Sequence, residues 1–301
     1  MLKVSVPLTV PASFAKEYTK NYSLATKDTG RLFLFAGDQK VEHLNSDFKG
    51  ADISFEDQDP EHLFRIASQA EIGVFATQLG LIDKYGPDYE NIPYIVKINS
   101  RTNLVSIKDH DPISHGWYDV SDIIRFKKQS KLNIVGVGYT VYLGGEYESE
   151  ILKEAAQIVK DAHQQGLLAI LWMYPRGKNV PNEDDINVIA GGAGVAACLG
   201  ADFVKVKYPY TGQTATAKEF KTVVKAAGRT KVICVGGAKL TPAELLKNID
   251  QQIHIAQTAG SAIGRNLHQY SLEEAIKMAK AIAGIIYHDY PFSKALKVLE
   301  K

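Results

Sequence analysis

Eight short runs rich in β-branched and aromatic residues recur along this 301-residue chain, and stretches of helical periodicity separate most of them. Parallel strands need a long crossover between them, and a helix is the usual one. The alternation therefore predicts βαβ units and a parallel sheet. Strands are predicted at Leu32–Ala36, Gly73–Thr77, Tyr94–Ile98, Ile134–Tyr142, Leu167–Trp172, Phe203–Lys207, Val232–Val235 and, more weakly patterned, Ala259–Ile263. Helical patterns fall at Glu148–Gln165, Glu183–Leu199, Ala217–Ala227, Pro242–Asp250 and Leu272–Tyr287. Two helix starts carry a hydroxyl cap with glutamate three residues on, Thr241 with Glu244 and Ser271 with Glu274. Eight strands select a closed (β/α)8 barrel, a TIM barrel of the α/β class. Residues 1–301 are expected to form one barrel domain, with residues 1–30 as an N-terminal extension packed on it.

An open, doubly wound sheet is the competing architecture, and the glycines of Gly191–Gly194 are its one hint. A dinucleotide loop follows a strand and opens a helix. These glycines instead lie inside an Ala/Gly-rich helical pattern, where close packing of helix on barrel accounts for them. The long connection from Asn99 to Lys131 is a candidate lid.

Thirty-five basic and 34 acidic side chains leave a net charge of +1. That balance offers no electrostatic footprint for nucleic acid or an anionic membrane, so neither is an expected partner. Any anion must meet a local cluster. No secretory leader and no run of about 18 apolar residues is present, which predicts a soluble, cytoplasmic protein. Cys198 and Cys234 sit in apolar stretches without metal or redox spacing and read as buried thiols of a reducing compartment. The histidines form no ligand cluster with acidic residues, so neither a metal nor a cofactor is expected.

Chemistry in such a barrel gathers at the carboxyl ends of the strands. On GADFVKVKYPY, Lys205 and Lys207 alternate with Val204 and Val206 and share one face. With the valines outward, the lysines point into the barrel mouth, where burial and a neighbouring ammonium favour a neutral, nucleophilic amine. Ion pairing with carboxylates such as Asp38 is the alternative. The fifth strand ends in Trp172, Tyr174 and Arg176: a tyrosine suited to proton transfer and an arginine suited to a carboxylate, or simply an aromatic rim. Val235-Gly236-Gly237-Ala238-Lys239 and Gly264-Arg265-Asn266 read as a phosphate cradle, with plain turn glycines as the alternative. The first strand runs into Asp38, which either anchors a substrate hydroxyl, holds a lysine or forms a turn. His43 follows it.

In this order on strands one, five, six and seven to eight, the motifs resemble the archaeal-type class I fructose-bisphosphate aldolases, Schiff-base enzymes of the (β/α)8 fold. The likeness runs over nearly the whole chain. That family carries Asp-His-Gly followed three residues later by histidine. Asp38 and His43 occupy the outer positions here, while Gln39 and Lys40 replace the His-Gly. Trp-x-Tyr-Pro-Arg-Gly is intact from Trp172 to Gly177, which implies Tyr174 as the acid/base group. Lys205 matches the Schiff-base lysine. Gly236, Gly237 and Lys239 match the seventh-strand phosphate loop, and Gly264 with Arg265 the eighth. Val235 falls where some members have serine, and His268 where an aromatic residue usually follows the GRN turn.

The resemblance implies reversible cleavage of fructose 1,6-bisphosphate to dihydroxyacetone phosphate and glyceraldehyde 3-phosphate, without metal or cofactor. Lys205, Tyr174 and Asp38 are the catalytic expectations. His43, Trp172, Arg176, Lys207, Gly236, Gly237, Lys239, Gly264 and Arg265 are the substrate-binding ones, Lys207 also tuning Lys205. A related Schiff-base lyase or transferase on another phosphorylated ketose, and a non-catalytic sugar-phosphate binder, are the alternatives. Self-association into a ring-based homo-oligomer, such as a decamer, is also implied.

Overall fold

A parallel sheet leaves unpaired backbone groups at both edges unless it closes on itself. The computed structural model describes residues 3–106, 110–209, 214–235, 237 and 239–300, and its eight strands close into a barrel in chain order. They are β1 Leu32–Ala36, β2 Val74–Gln78, β3 Tyr94–Lys97, β4 Ile134–Leu143, β5 Leu168–Pro175, β6 Phe203–Lys207, β7 Lys231–Val235 and β8 Gly260–Ile263. Every neighbouring pair is parallel, and β1 pairs with β8 from Leu32↔Gly260 to Phe35↔Ile263. Closure depends on Gly260. Its φ is +141°, and a Cβ there would overlap the Leu32 carbonyl.

The strands bury both faces, as a sheet covered by helices outside and packed within must. One apolar layer lies between strands and helices and includes Phe75, Val96, Val137, Val204 and Val206. The other fills the barrel with Leu34, Ala76, Ile95, Ile170, Trp172, Phe203 and Ile233. Val10, Tyr18 and Ala25 join that inner layer. They come from the N-terminal segment and the helix Ala15–Thr26. Tyr18 donates to Asp202 Oδ1 at 2.5 Å and Asn21 to the Gly166 carbonyl at 2.8 Å, which holds this helix at the amino ends of the strands.

Both capping boxes form, at Thr241/Glu244 and Ser271/Glu274. The glycines of Gly191–Gly194 lie within the helix Ile186–Cys198, where Gly192 faces Met173 and Pro175 of β5. Three local expectations are corrected. The helix expected from Glu183 starts at Ile186, because Asp185 caps Asn187 N and Val188 N. The pattern Ala217–Ala227 is split into Thr214–Glu219 and Lys221–Ala227, with Phe220 turned inward against Tyr208 at 4.8 Å. Cys234 is buried, but Cys198 is exposed. It ends a helix whose outer face is also small and apolar, so composition did not distinguish the two sides.

Candidate active site

Alternation along a barrel strand turns every second side chain toward the axis. Trp172 on β5 and Phe203 on β6 belong to the inner layer, and the same phase carries Lys205 inward. Trp172 and Lys205 are register partners. Lys205 is 3% exposed and makes no ion pair among the described residues. Burial pushes its amine below the ordinary lysine value, and Asp38 and Glu42 oppose the shift without reversing it. Its Nζ lies 5.0 Å from the centre of the Trp172 ring.

A second amine shares that indole. Lys97, at the end of β3, is 2% exposed, with Nζ 5.3 Å from the Trp172 ring centre. It donates to the Asn99 carbonyl at 2.5 Å and to Asn99 Oδ1 at 3.0 Å. Asn99 is fixed in turn, donating to the Ser114 and Thr140 carbonyls and accepting from Thr140 N. Burial pushes Lys97 down to about 8; Asp38 and Glu42 resist, and Lys205 adds to the lowering. The Trp172 Nε1 donor is itself buried without a hydrogen-bond partner among the described residues. Gly138 makes room for the ring, since a Cβ there would overlap it.

Tyr174 stands two residues beyond Trp172, in register with Tyr142 of β4. Burial first, then Glu42 and Asp38, push its phenol well above the ordinary tyrosine value, against the Arg176 guanidinium 5.1 Å from its ring. Arg176 Nε donates to Glu183 Oε2 at 2.8 Å. Lys207 donates to Glu183 Oε1 at 3.0 Å and pairs with Asp184 Oδ1 at 2.8 Å. Burial lowers Lys207, but these two carboxylates outweigh it and hold the ammonium above the ordinary lysine value. The expectation that Lys207 tunes Lys205 is therefore corrected. Its charge is spent on Glu183 and Asp184, and the amine that shares Trp172 with Lys205 is Lys97.

Asp38 is buried at the end of β1 and opens the short helix Gln39–Glu42, which brings Glu42 to the same mouth. Gln78 at the end of β2 donates to the Asp38 carbonyl at 3.0 Å, fixing the turn. A family model of the DeoC/LacD aldolases matches residues 32–270, the barrel that carries these groups. The chain belongs to the DeoC/LacD family of aldolases.

Among its relatives, the fructose-bisphosphate aldolase/6-deoxy-5-ketofructose 1-phosphate synthase of Methanocaldococcus jannaschii is 54% identical, covering 98% of this chain and 94% of its own. The solved fructose-bisphosphate aldolase of Slackia heliotrinireducens superposes with a TM-score of 0.95 at 48% identity, over 99% of this chain and 94% of its own. An archaeal fructose-1,6-bisphosphate aldolase, solved with its catalytic lysine covalently bound to the carbinolamine intermediate, gives a TM-score of 0.76 at 32% identity. That match covers 90% of this chain and 99% of the archaeal one.

In this DeoC/LacD aldolase the seventh and eighth strand ends are tied together. Arg265 Nη2 donates to the Gly237 carbonyl at 2.9 Å, and Leu240 N to Asn266 Oδ1 at 2.8 Å. Gly236 and Ala238 lie outside the described residues. The segment after β1 reaches over these loops: Lys239 donates to the Asp52 carbonyl, and Asp47 Oδ2 lies 3.6 Å from Arg265 Nε and 3.4 Å from His43 Nδ1. Gln39 fills the space beside the Gly264 Cα, where a Cβ would overlap its amide. His268 stacks on Phe48 at 4.8 Å, as an aromatic residue would, and Nδ1 also meets Asp57 Oδ2 at 2.7 Å, both side chains fully buried.

Sequence reasoning missed Lys97, Asn99, Glu42 and Gln78. Lys97 carried the same signal as Lys205, a lysine at the end of an apolar strand in phase with an inward residue. Gln78 is the last residue of β2, Asn99 lies just past β3 and Glu42 ends the short helix after β1; nothing local separates such polar residues from turn formers.

Proposed function

We propose that this protein is a class I aldolase that cleaves and forms fructose 1,6-bisphosphate through a Schiff base on Lys205. The observation that carries this reading is a buried lysine with no ion pair among the described residues, lowered by its burial and set against Trp172 in the mouth of an aldolase-family barrel. Neutral Lys205 adds to the ketone carbon to give a carbinolamine. Tyr174 holds its proton firmly in the resting site, so it enters as the acid: it protonates the carbinolamine hydroxyl, which leaves as water, and the iminium forms. The resulting phenolate is the base that takes the C4 hydroxyl proton. The C4 oxygen forms the aldehyde carbonyl as the C3–C4 bond breaks, and the electron pair of that bond passes into the iminium to leave an enamine. Reprotonation at C3 and hydrolysis release dihydroxyacetone phosphate and free Lys205.

Asp38 holds substrate hydroxyls, and Trp172 Nε1, without a hydrogen-bond partner among the described residues, donates to one of them. Lys97 sets a second buried amine beside Lys205; the Lys205 charge lowers Lys97, and by the same mutual repulsion a protonated Lys97 disfavours a protonated Lys205. Gly237, Lys239, Gly264 and Arg265, with Gly236, cradle a phosphate, whose binding fixes the reacting end by remote contacts. His43, Arg176 and Lys207 line the approach.

A second reading is favoured by Gln39 and Lys40, which depart from the family pattern, Gln39 lying against Gly264, and by the double name of the 54% identical relative. In it the Lys205 enamine is transferred to an aldehyde acceptor to make another phosphorylated ketose. A cytoplasmic role in sugar-phosphate metabolism is part of the same proposal; no helix among the described residues is long and apolar enough to cross a membrane. Self-association as a ring-based homo-oligomer, a decamer among the options, is part of the same proposal.

Borohydride reduction with fructose 1,6-bisphosphate, dihydroxyacetone phosphate and other ketose phosphates, followed by peptide mapping, tests it. A stable adduct on Lys205 with fructose 1,6-bisphosphate is the expected result. An adduct on another side chain, or none, overturns the proposal.

A further inference from the structure

The amino ends of barrel strands ordinarily serve stability rather than chemistry. Here they frame a cavity of about 1200 Å³, roomy enough for a metabolite, between residues 3–8 and the starts of β1, β6, β7 and β8. Lys3, Arg229 and Lys231 line it, all exposed and none in an ion pair among the described residues. The acidic side chain of the wall, Asp202, is already saturated: it accepts from Tyr18 at 2.5 Å and Ala169 N at 2.8 Å and meets His163 Nε2 at 3.1 Å. Arg31 is likewise spent, on Asp289 and the Ile286 carbonyl. The cavity thus holds three uncompensated positive charges that come from two separate parts of the chain and repel one another.

The other walls are suited to a partly apolar guest. Val4, Val6 and Pro7 form one side. Tyr22, stacked on Phe203 at 5.7 Å, presents a phenol that burial and the neighbouring Asp202 hold up at about 12, so it stays a hydrogen-bond donor. The segment that carries Lys3 is anchored nearby, where Thr9 Oγ1 lies 2.7 Å from His163 Nδ1. Phe203 is two residues from Lys205 on the same strand, so whatever stiffens this pole bears on the β6 backbone that carries the amine.

We propose that this cavity is a second, regulatory binding site for a small phosphate ester bearing a diphosphate or two phosphates, which bridges Lys3 to Arg229 and Lys231 and clamps the N-terminal segment on the barrel. The site does not depend on the catalytic reading above, because none of its residues lies in the barrel mouth.

Calorimetric titration of the full chain with inorganic pyrophosphate, ADP and fructose 1,6-bisphosphate tests it, alongside two double variants, Arg229→Glu with Lys231→Glu and Lys239→Ala with Arg265→Ala. At least one probe is expected to bind the wild type and the Lys239/Arg265 variant alike, and to lose at least tenfold in affinity on charge reversal at 229 and 231. The charge-reversed protein keeps its basal turnover. Preference for ADP or for the sugar bisphosphate identifies which ester the pole selects, and binding of pyrophosphate alone assigns the diphosphate as the recognised group. Absence of binding by all three at millimolar concentration overturns the proposal. So does binding that vanishes in the Lys239/Arg265 variant and survives charge reversal, since the barrel mouth is then the phosphate site.

Discussion

Replacing Lys97 with methionine removes a buried charge while nearly keeping the volume of the side chain. Lys97 Nζ and Lys205 Nζ each lie within about 5 Å of the Trp172 ring centre, so they are at most about 10 Å apart. At an effective dielectric of about 20, two unit charges at that separation repel by about 1.7 kcal/mol, or about one pH unit. Carbonyl attack needs the neutral amine, and removing the neighbouring cation lets Lys205 hold its proton more tightly. The acidic limb of the pH profile for reductive trapping therefore moves to higher pH by about one unit in Lys97→Met. Well below that limb the trapping rate falls about tenfold. Above about 8, where wild-type Lys97 has itself lost its proton, the two proteins converge. Lys97→Arg, which keeps the charge, leaves the limb where it was. Asn99 Oδ1 retains Thr140 N as a donor, so the variant is expected to fold. A limb that stays in place in Lys97→Met, or moves to lower pH, refutes the reasoning.

Tyr174→Phe removes the proposed acid and base, and kcat is expected to fall by about 10²- to 10⁴-fold; stopped-flow turnover checks this, and a loss under tenfold excludes the role. Gly264→Ala places a methyl against the Gln39 amide, at a cost of about 1 kcal/mol in thermal unfolding and with a raised KM for phosphorylated substrates. Adding Gln39→Ser to that variant recovers the melting temperature if the clash is its cause. His268→Phe restores the family's usual aromatic residue but leaves the Asp57 carboxylate buried and unpaired, a loss of about 3–5 kcal/mol by urea unfolding. His268→Phe with Asp57→Leu is expected to regain most of it.

Strand existence and order were legible in the sequence because period-two burial and crossover length are local properties of the chain. All eight predicted runs are strands of the barrel, and most boundaries differ by one residue or less. Helix edges were less legible where capping competed with hydropathy, as at Asp185, or where a single ring turned inward, as at Phe220. Lys205, Trp172 and Tyr174 stood out because a lysine and polar aromatic residues at the ends of apolar strands are costly to bury unless paired or used, although ion pairing and an aromatic rim were open alternatives until the strand-end motifs were taken together. The same test applied to β3 points to Lys97.

From its amino-acid pattern alone the chain determined the barrel, the strand ends that bear chemistry and the residue types set there. Which amine keeps company with Lys205 was decided only by closure of the sheet, which brings β3 and β6 side chains to one β5 indole and leaves Lys207 at a rim with Glu183 and Asp184. Charge coupling falls off with distance through space rather than along the chain, so residues 108 positions apart affect each other more than residues two apart.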